Sequence, residues 1–264
     1  MPWKVSSPSM EDMLKNALII IPAFNEEGAL PGLLAEVKAA APGTAIAVIN
    51  DCSLDHTASV ARKHGALVLD LPCNLGVGGA VQAGFQYAFA RGYQYVIRCD
   101  GDGQHPPSEI RKLVEAMKAG DVDLVVGSRF LQEDKESYTS TTLRSAGIRG
   151  LAFLLSLICR ARVTDPTSGF QMLNRPLLAY FAHSYPLDYP EPESLALLRR
   201  QGYRFREVAA RFRPRLTGTS SIQSWGAIYF MLKVGLALIV DRARPVNPRY
   251  SRHVLTLQDT SPCA

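Results

Sequence analysis

Apolar residues fall in continuous runs at 17–21, 45–49, 66–71, 93–99 and 122–127, separated by stretches in which they recur every three or four positions. Leu30, Leu33, Leu34 and Val37 mark one such helical face, and Val81, Phe85, Ala88 and Phe89 another. A strand covered on both sides has no polar alternation. Continuous runs alternating with amphipathic helices therefore predict an α/β fold, a mostly parallel Rossmann-like sheet with helices on both faces. In such sheets ligands bind beyond the carboxyl ends of the strands. The polar clusters of the sequence lie there: Pro22 to Glu27 after the first run, Asn50 to Asp55 after the second, Asn74 to Gly79 after the third and Asp100 to Gln104 after the fourth.

Two later segments break this rhythm. Residues 143–160 set Arg144, Arg149 and Arg160 around the apolar run Leu151 to Ile158, which fits either an interfacial helix or a buried one. Residues 225–240 are apolar except for Lys233. As a helix they reach about 24 Å, short of the roughly 30 Å hydrocarbon core, so a C-terminal helix lying in the membrane interface is the better expectation. The expected layout is an N-terminal tail (1–16), an α/β domain (17–222), a membrane-interface helix (223–244) and a loose tail (245–264).

Charge sharpens the picture. The net +5 is uneven: residues 199–264 carry twelve Lys and Arg against Glu207, Asp241 and Asp259, a net +9, whereas residues 1–198 are net −4. A basic end favours an anionic partner, and without a nucleic-acid recognition pattern a membrane surface or a substrate phosphate is the expected one. Residues 1–16 lack the long apolar core of a secretory signal, so the chain is expected to start in the cytosol. Its five cysteines, without metal-ligand spacing, are expected as reduced thiols.

The densest chemistry is Val96-Ile97-Arg98-Cys99-Asp100-Gly101-Asp102-Gly103-Gln104-His105-Pro106. In an extended or turning backbone the side chains at i and i+2 point the same way, so Asp100 and Asp102 converge. Two hard oxygen ligands suffice for Mg2+ or Mn2+ when phosphate oxygens and water complete the shell. A similar pair, Asp121-Val122-Asp123, sits between a helix and a strand and reads as an ordinary capping loop. The glycines at 76, 78 and 79 do not have dinucleotide-binding spacing and read as a tight loop that starts a helix near the ligand.

Taken in order, Pro22-Ala23-Phe24-Asn25-Glu26-Glu27, Asn50-Asp51-Cys52-Ser53-Leu54-Asp55 and the Asp100 to Pro106 segment resemble the donor site of inverting family 2 glycosyltransferases of the GT-A fold. With Asn74 to Ala80, Val126-Gly127-Ser128-Arg129-Phe130 and Asp165-Pro166-Thr167-Ser168-Gly169-Phe170, the set resembles the polyprenol-phosphate (dolichol-phosphate) sugar transferase branch over residues 17–222. The resemblance implies that Pro22, Phe24, Asn25 and Glu26 surround a nucleoside and that Asp51 accepts a hydrogen bond from its base. It implies that Asp100, Asp102 and Gln104 hold Mg2+ or Mn2+ and the diphosphate of a GDP-, UDP- or dTDP-sugar. Arg213 or Arg215 occupies the place of a basic loop over the diphosphate, although serines stand at 220 and 221 where relatives often have lysine. Arg129, Arg144, Arg149 and Ser168 are the expected acceptor-side residues, with Arg129 also near the donor.

A polyprenyl phosphate acceptor arrives ionised and needs little help from a base, whereas a sugar hydroxyl needs a carboxylate to take its proton. Glu193, then Glu191, then Asp188 are the candidates, alongside Asp102 as a catalytic carboxylate; the two glutamates interleaved with Pro190 and Pro192 also suit a helix N-terminus. The expected activity is hexose transfer to polyprenyl phosphate by a peripheral or monotopic protein on the cytoplasmic membrane face. Rivals are transfer to a lipid-linked glycan of the cell wall or surface polysaccharide, a nucleotidyltransferase, and a nucleotide-binding membrane scaffold. A nucleotidyltransferase would place a glycine-rich loop directly after the first strand, where Pro22 to Asn25 stand here.

Overall fold

The computed structural model describes residues 8–131, 142–213, 233–236 and 251–252, with the backbone alone over 142–146. Among these, the strands β1 (Ala17–Ala23), β2 (Ala45–Asn50), β3 (Leu67–Asp70), β4 (Tyr95–Arg98), β5 (Leu124–Ser128), β6 (Gln171–Asn174) and β7 (Phe205–Ala209) form one sheet in the order β3-β2-β1-β4-β6-β5-β7. All neighbours are parallel except β6, which runs antiparallel between β4 and β5. The five apolar runs are the strands β1 to β5.

Helices cover both faces, as the sequence pattern requires. On one side lie α4 (Gly76–Ala90), α6 (Thr142–Cys159), α7 (Arg175–His183) and α8 (Pro190–Arg200). On the other lie α1 (Met10–Lys15), α2 (Leu30–Ala40), α3 (Thr57–Lys63) and α5 (Ile110–Lys118). The strand period of two divides each run between the layers: Leu18 and Ile20 of β1 enter the first core, and Ala17, Ile19 and Ile21 the second. The strand order reverses at β1, which pairs β2 on one side and β4 on the other. That switch point opens a crevice past the carboxyl ends of the strands.

Helix α6, which accounts for residues 143–160 up to Cys159, buries one face in the core and leaves another exposed. Leu151, Leu155 and Cys159 are buried in the core, while Phe153 and Leu157, 67% and 62% exposed, form an apolar stripe beside exposed Arg149 and Arg160. Of residues 225–240 only 233–236 are described; there Val234 is buried and the Lys233 ammonium sits 5.7 Å from the Tyr189 ring centroid. Arg215, the remainder of that segment and the tail expected beyond Pro245, apart from residues 251 and 252, lie outside the described residues.

The loop at Asp121 to Asp123 is more than a cap. Asp123 is 2% exposed and accepts hydrogen bonds from Asn174 Nδ2 at 3.0 Å, from the Arg204 amide at 2.8 Å and from Arg252 Nε at 2.8 Å. It ties the start of β5 to β6, to the approach to β7 and to residue 252. Cys52, Cys73, Cys99 and Cys159 are free thiols.

Candidate functional site

A cleft of about 260 Å3 opens at the switch point. β1 and its loop supply Pro22, Ala23, Phe24 and Glu26, the end of β2 supplies Asp51, the start of α4 supplies Val77 and Ala80, and the end of β4 supplies Asp100, Gly101 and Asp102. Close approach of β1 and β4 requires the glycine between the two aspartates, since a Cβ at Gly101 would lie 2.9 Å from the Pro22 carbonyl oxygen.

The loops after β1 and β2 are stitched to each other. Asn25 is held at φ 56°, a left-handed conformation that asparagine tolerates better than most residues. Its amide donates to Ser53 Oγ at 3.0 Å, and its Oδ1 accepts from the Leu54 amide at 2.8 Å. The Glu26 amide donates to Thr57 Oγ1 at 2.8 Å. Asn25 thus braces the rim, while Pro22, Glu26 and the half-exposed Phe24 face the cleft. Asp51 is nearly buried, and its Oδ1 accepts from the Leu75 amide, just before α4, at 2.7 Å.

The two central carboxylates have different surroundings. Asp102 is 7% exposed and is gripped by Gln104, whose amide and Nε2 donate at 3.0 and 2.9 Å. Asp100 receives Arg98 Nε at 3.0 Å and Nη2 at 3.0 Å, both on Oδ1. The Arg98 guanidinium is 1% exposed and also reaches Glu191 Oε1 at 2.8 Å. Burial opposes its charge, but the Asp100 and Glu191 carboxylates outweigh that cost and raise its pKa above the ordinary value. Behind this group the Asp100 amide donates to His105 Nδ1 at 3.0 Å, so in the neutral ring the proton sits on Nε2, 3.8 Å from Asp100 Oδ2. Burial among Phe170 and Phe212 lowers the His105 pKa and keeps the ring neutral against the pull of Asp100 and Asp102.

The structure brings Pro22, Phe24, Glu26, Asp51, Asp100 and Asp102 to one cleft, with Gln104 bonded to Asp102. Of the two glutamates in the first turn of α8, Glu191 meets Arg98 through Oε1, and Glu193, two residues on, is half-buried. Arg129 is held by Asp165 through Nε and Nη2 at 2.7 and 2.6 Å and by Thr167 Oγ1 at 2.6 Å. Ser168 is buried and donates to the Gly127 carbonyl at 2.5 Å. Arg149 is exposed on α6, and the Arg144 side chain lies outside the described residues. The Arg213 amide donates to the Gln104 carbonyl at 2.9 Å, which brings the stretch after β7 to the cleft, while its side chain pairs with Glu36 on α2.

Arg98, His105 and Asp165 are site residues that the motif reading did not single out. The one signal available was Arg98 itself, a charge in an otherwise apolar strand, which must be paired if buried.

Residues 18–181 match the family Glycosyl transferase family 2. Dolichyl-phosphate hexose transferase of Haloferax volcanii is 31% identical over 202 residues, 75% of this chain and 82% of that protein. Polyprenol monophosphomannose synthase of Mycolicibacterium smegmatis is 36% identical over 126 residues, 44% of this chain and 46% of that protein. Dolichyl-phosphate beta-glucosyltransferase of Drosophila melanogaster is 34% identical over 193 residues, 65% of this chain and 58% of that protein. The chain therefore spans less than two thirds of the latter two. Among solved structures, glucosyl-3-phosphoglycerate synthase of Mycobacterium tuberculosis, in complex with Mn2+, uridine diphosphate and glucosyl-3-phosphoglycerate, superposes with a TM-score of 0.65 at 17% identity, covering 91% of this chain and 86% of that one. This likeness establishes a common fold. With the family match extending from β1 through most of α7, the chain belongs to glycosyl transferase family 2 and is a glycosyltransferase with a GT-A-type α/β fold.

Proposed function

We propose that this glycosyltransferase moves a hexose from a nucleotide diphosphate sugar to a polyprenyl phosphate, with inversion, at the cytoplasmic face of a membrane. The observation that carries this reading is the convergence of Asp51, Asp100 and Asp102 on one cleft at the switch point. The names of the relatives support the acceptor, since dolichyl or polyprenol phosphate recurs in them.

The donor set fits Mg2+ or Mn2+: two carboxylates and a glutamine amide offer only hard oxygen ligands. Such a cation neutralises the charge that develops on the departing diphosphate. Asp51 accepts a hydrogen bond from the base, and Pro22, Phe24 and Glu26 shape the nucleoside end of the cleft. Gln104 holds the Asp102 carboxylate in place, and the Arg213 backbone holds Gln104.

The acceptor phosphate oxygen forms the new bond to the anomeric carbon from the face opposite the diphosphate, whose bond to that carbon breaks with its electron pair. An ionised phosphate needs no proton removed, which agrees with Glu191 being engaged by Arg98. Arg149, exposed on α6 beside Phe153 and Leu157, is placed to receive an anionic lipid headgroup at a membrane surface. Among the described residues no helix is long and apolar enough to cross a membrane.

The test is a screen of GDP-, UDP- and dTDP-sugars with a polyprenyl phosphate, with and without chelator. The expected product is an acid-labile lipid monophosphate sugar, formed only with divalent metal. Transfer onto a lipid-linked glycan, with no reaction of the lipid phosphate alone, would overturn the acceptor assignment.

A further inference from the structure

Arg98 is the largest fully buried side chain of the described residues, and it stands on a strand that is otherwise an apolar run. A guanidinium is desolvated at high cost unless its donors are met by well-placed acceptors. Here they are met asymmetrically. Nε and Nη2 close a fork on Oδ1 of Asp100, Nη2 also reaches Glu191 Oε1, and Nη1 is buried with no hydrogen-bond partner. The Tyr185 hydroxyl, buried beside the guanidinium, likewise lacks a partner at hydrogen-bond geometry. The side chain is therefore anchored through its contacts to two carboxylates, one in the donor cleft and one at the first turn of α8.

Gly169 makes this arrangement possible. A Cβ there would lie 2.7 Å from Arg98 Nη2, 2.7 Å from Asp100 Oδ2 and 2.9 Å from Arg98 Cζ. The glycine of the Asp165 to Phe170 segment thus makes room for the Arg98 and Asp100 pair.

We propose that Arg98 is a positioning residue, fixing the Asp100 carboxylate toward the donor cleft and coupling it through Glu191 to helix α8. The fork on Oδ1 restrains the rotation of the carboxylate, and Oδ2 lies 3.8 Å from His105 Nε2. A carboxylate without this anchor would sample several rotamers, and a ligand needing one of them would lose affinity. The proposal rests on the reading of Asp100 as a ligand for the metal-bound donor diphosphate.

Calorimetric titration of a nucleoside diphosphate, with and without Mn2+, tests it on the intact protein. Arg98→Lys keeps the charge and loses the planar fork. It is expected to raise the Mn2+ concentration that supports nucleotide binding by about 10- to 100-fold, the range usual for partners that orient metal ligands, while binding without metal is unchanged. Gly169→Ala, which keeps every charge, should shift the same quantity in the same direction, and it decides the question if the lysine variant does not fold. Folded variants with the Mn2+ dependence of the unsubstituted protein would overturn the positioning role. An unsubstituted protein whose nucleotide binding is indifferent to Mn2+ would overturn the metal-bound donor reading itself, which is a separate result.

Discussion

Asp51 Oδ1 lies 2.7 Å from the backbone nitrogen of Leu75, so the residue expected to read the base also anchors the loop that starts α4. The two roles separate by substitution. Asp51→Ala removes both and should weaken binding of a nucleoside diphosphate by about 1–3 kcal/mol, since the partner of a charged hydrogen bond is left unmet. Asp51→Asn retains an oxygen for Leu75 and loses only the charge. Calorimetry on both variants checks the assignment; unaltered affinity in both would leave Asp51 as an anchor alone.

The paired carboxylates give a second expectation. Asp102→Asn conserves shape and removes a charge from a residue that Gln104 already holds with two hydrogen bonds. Turnover should fall at least about 100-fold, some 2.7 kcal/mol of transition-state stabilisation, with the fold intact by circular dichroism. Full activity of the unsubstituted enzyme in excess chelator would refute metal assistance.

Two glycines should respond with opposite signs. A Cβ on Gly78 would lie 2.4 Å from the Leu187 carbonyl oxygen and 2.7 Å from the Pro186 one, backbone atoms that cannot turn aside. Gly78→Ala should cost about 1–3 kcal/mol of stability, as overpacking does. Gly32, within α2, has nothing within 4 Å of its notional Cβ, so Gly32→Ala should stabilise by up to about 1 kcal/mol. Urea denaturation of both variants reads the difference directly.

These examples show where sequence suffices and where it does not. Strands β1 to β5 announce themselves because helices cover both sheet faces, leaving runs with little polar interruption. β6, Gln171–Asn174, and β7, Phe205–Ala209, are short and partly polar, and β7 lies at the sheet edge, so no such run marks them. The aspartates at 100 and 102 are legible because i and i+2 geometry is local. The meeting of Arg98 with Glu191 is not, because it depends on α8 packing beside the end of β4, and nothing in the spacing constrains that. Asp123 misled for the same reason: a loop aspartate looks solvated until Asn174, Arg204 and Arg252, all distant in sequence, close around it.

The apolar stripe of α6 provides the final prediction. Phe153 and Leu157 lie one helical turn apart, 67% and 62% exposed, so replacing both with serine removes little packing and should leave the melting temperature nearly unchanged. Burial of each in a lipid interface would contribute about 1.5–3 kcal/mol. The double variant should accordingly bind anionic vesicles at least about 100-fold more weakly, a loss of some 3 kcal/mol. The arginines beside the stripe add an electrostatic share, about 1 kcal/mol for each one near anionic lipid. This share should fade at 1 M salt, where the screening length is about 3 Å. Vesicle flotation at low and high salt separates the contributions: the serine variant should lose the salt-resistant part of the binding. If it floats like the unsubstituted protein under both conditions, this face of α6 does not carry the enzyme to the membrane.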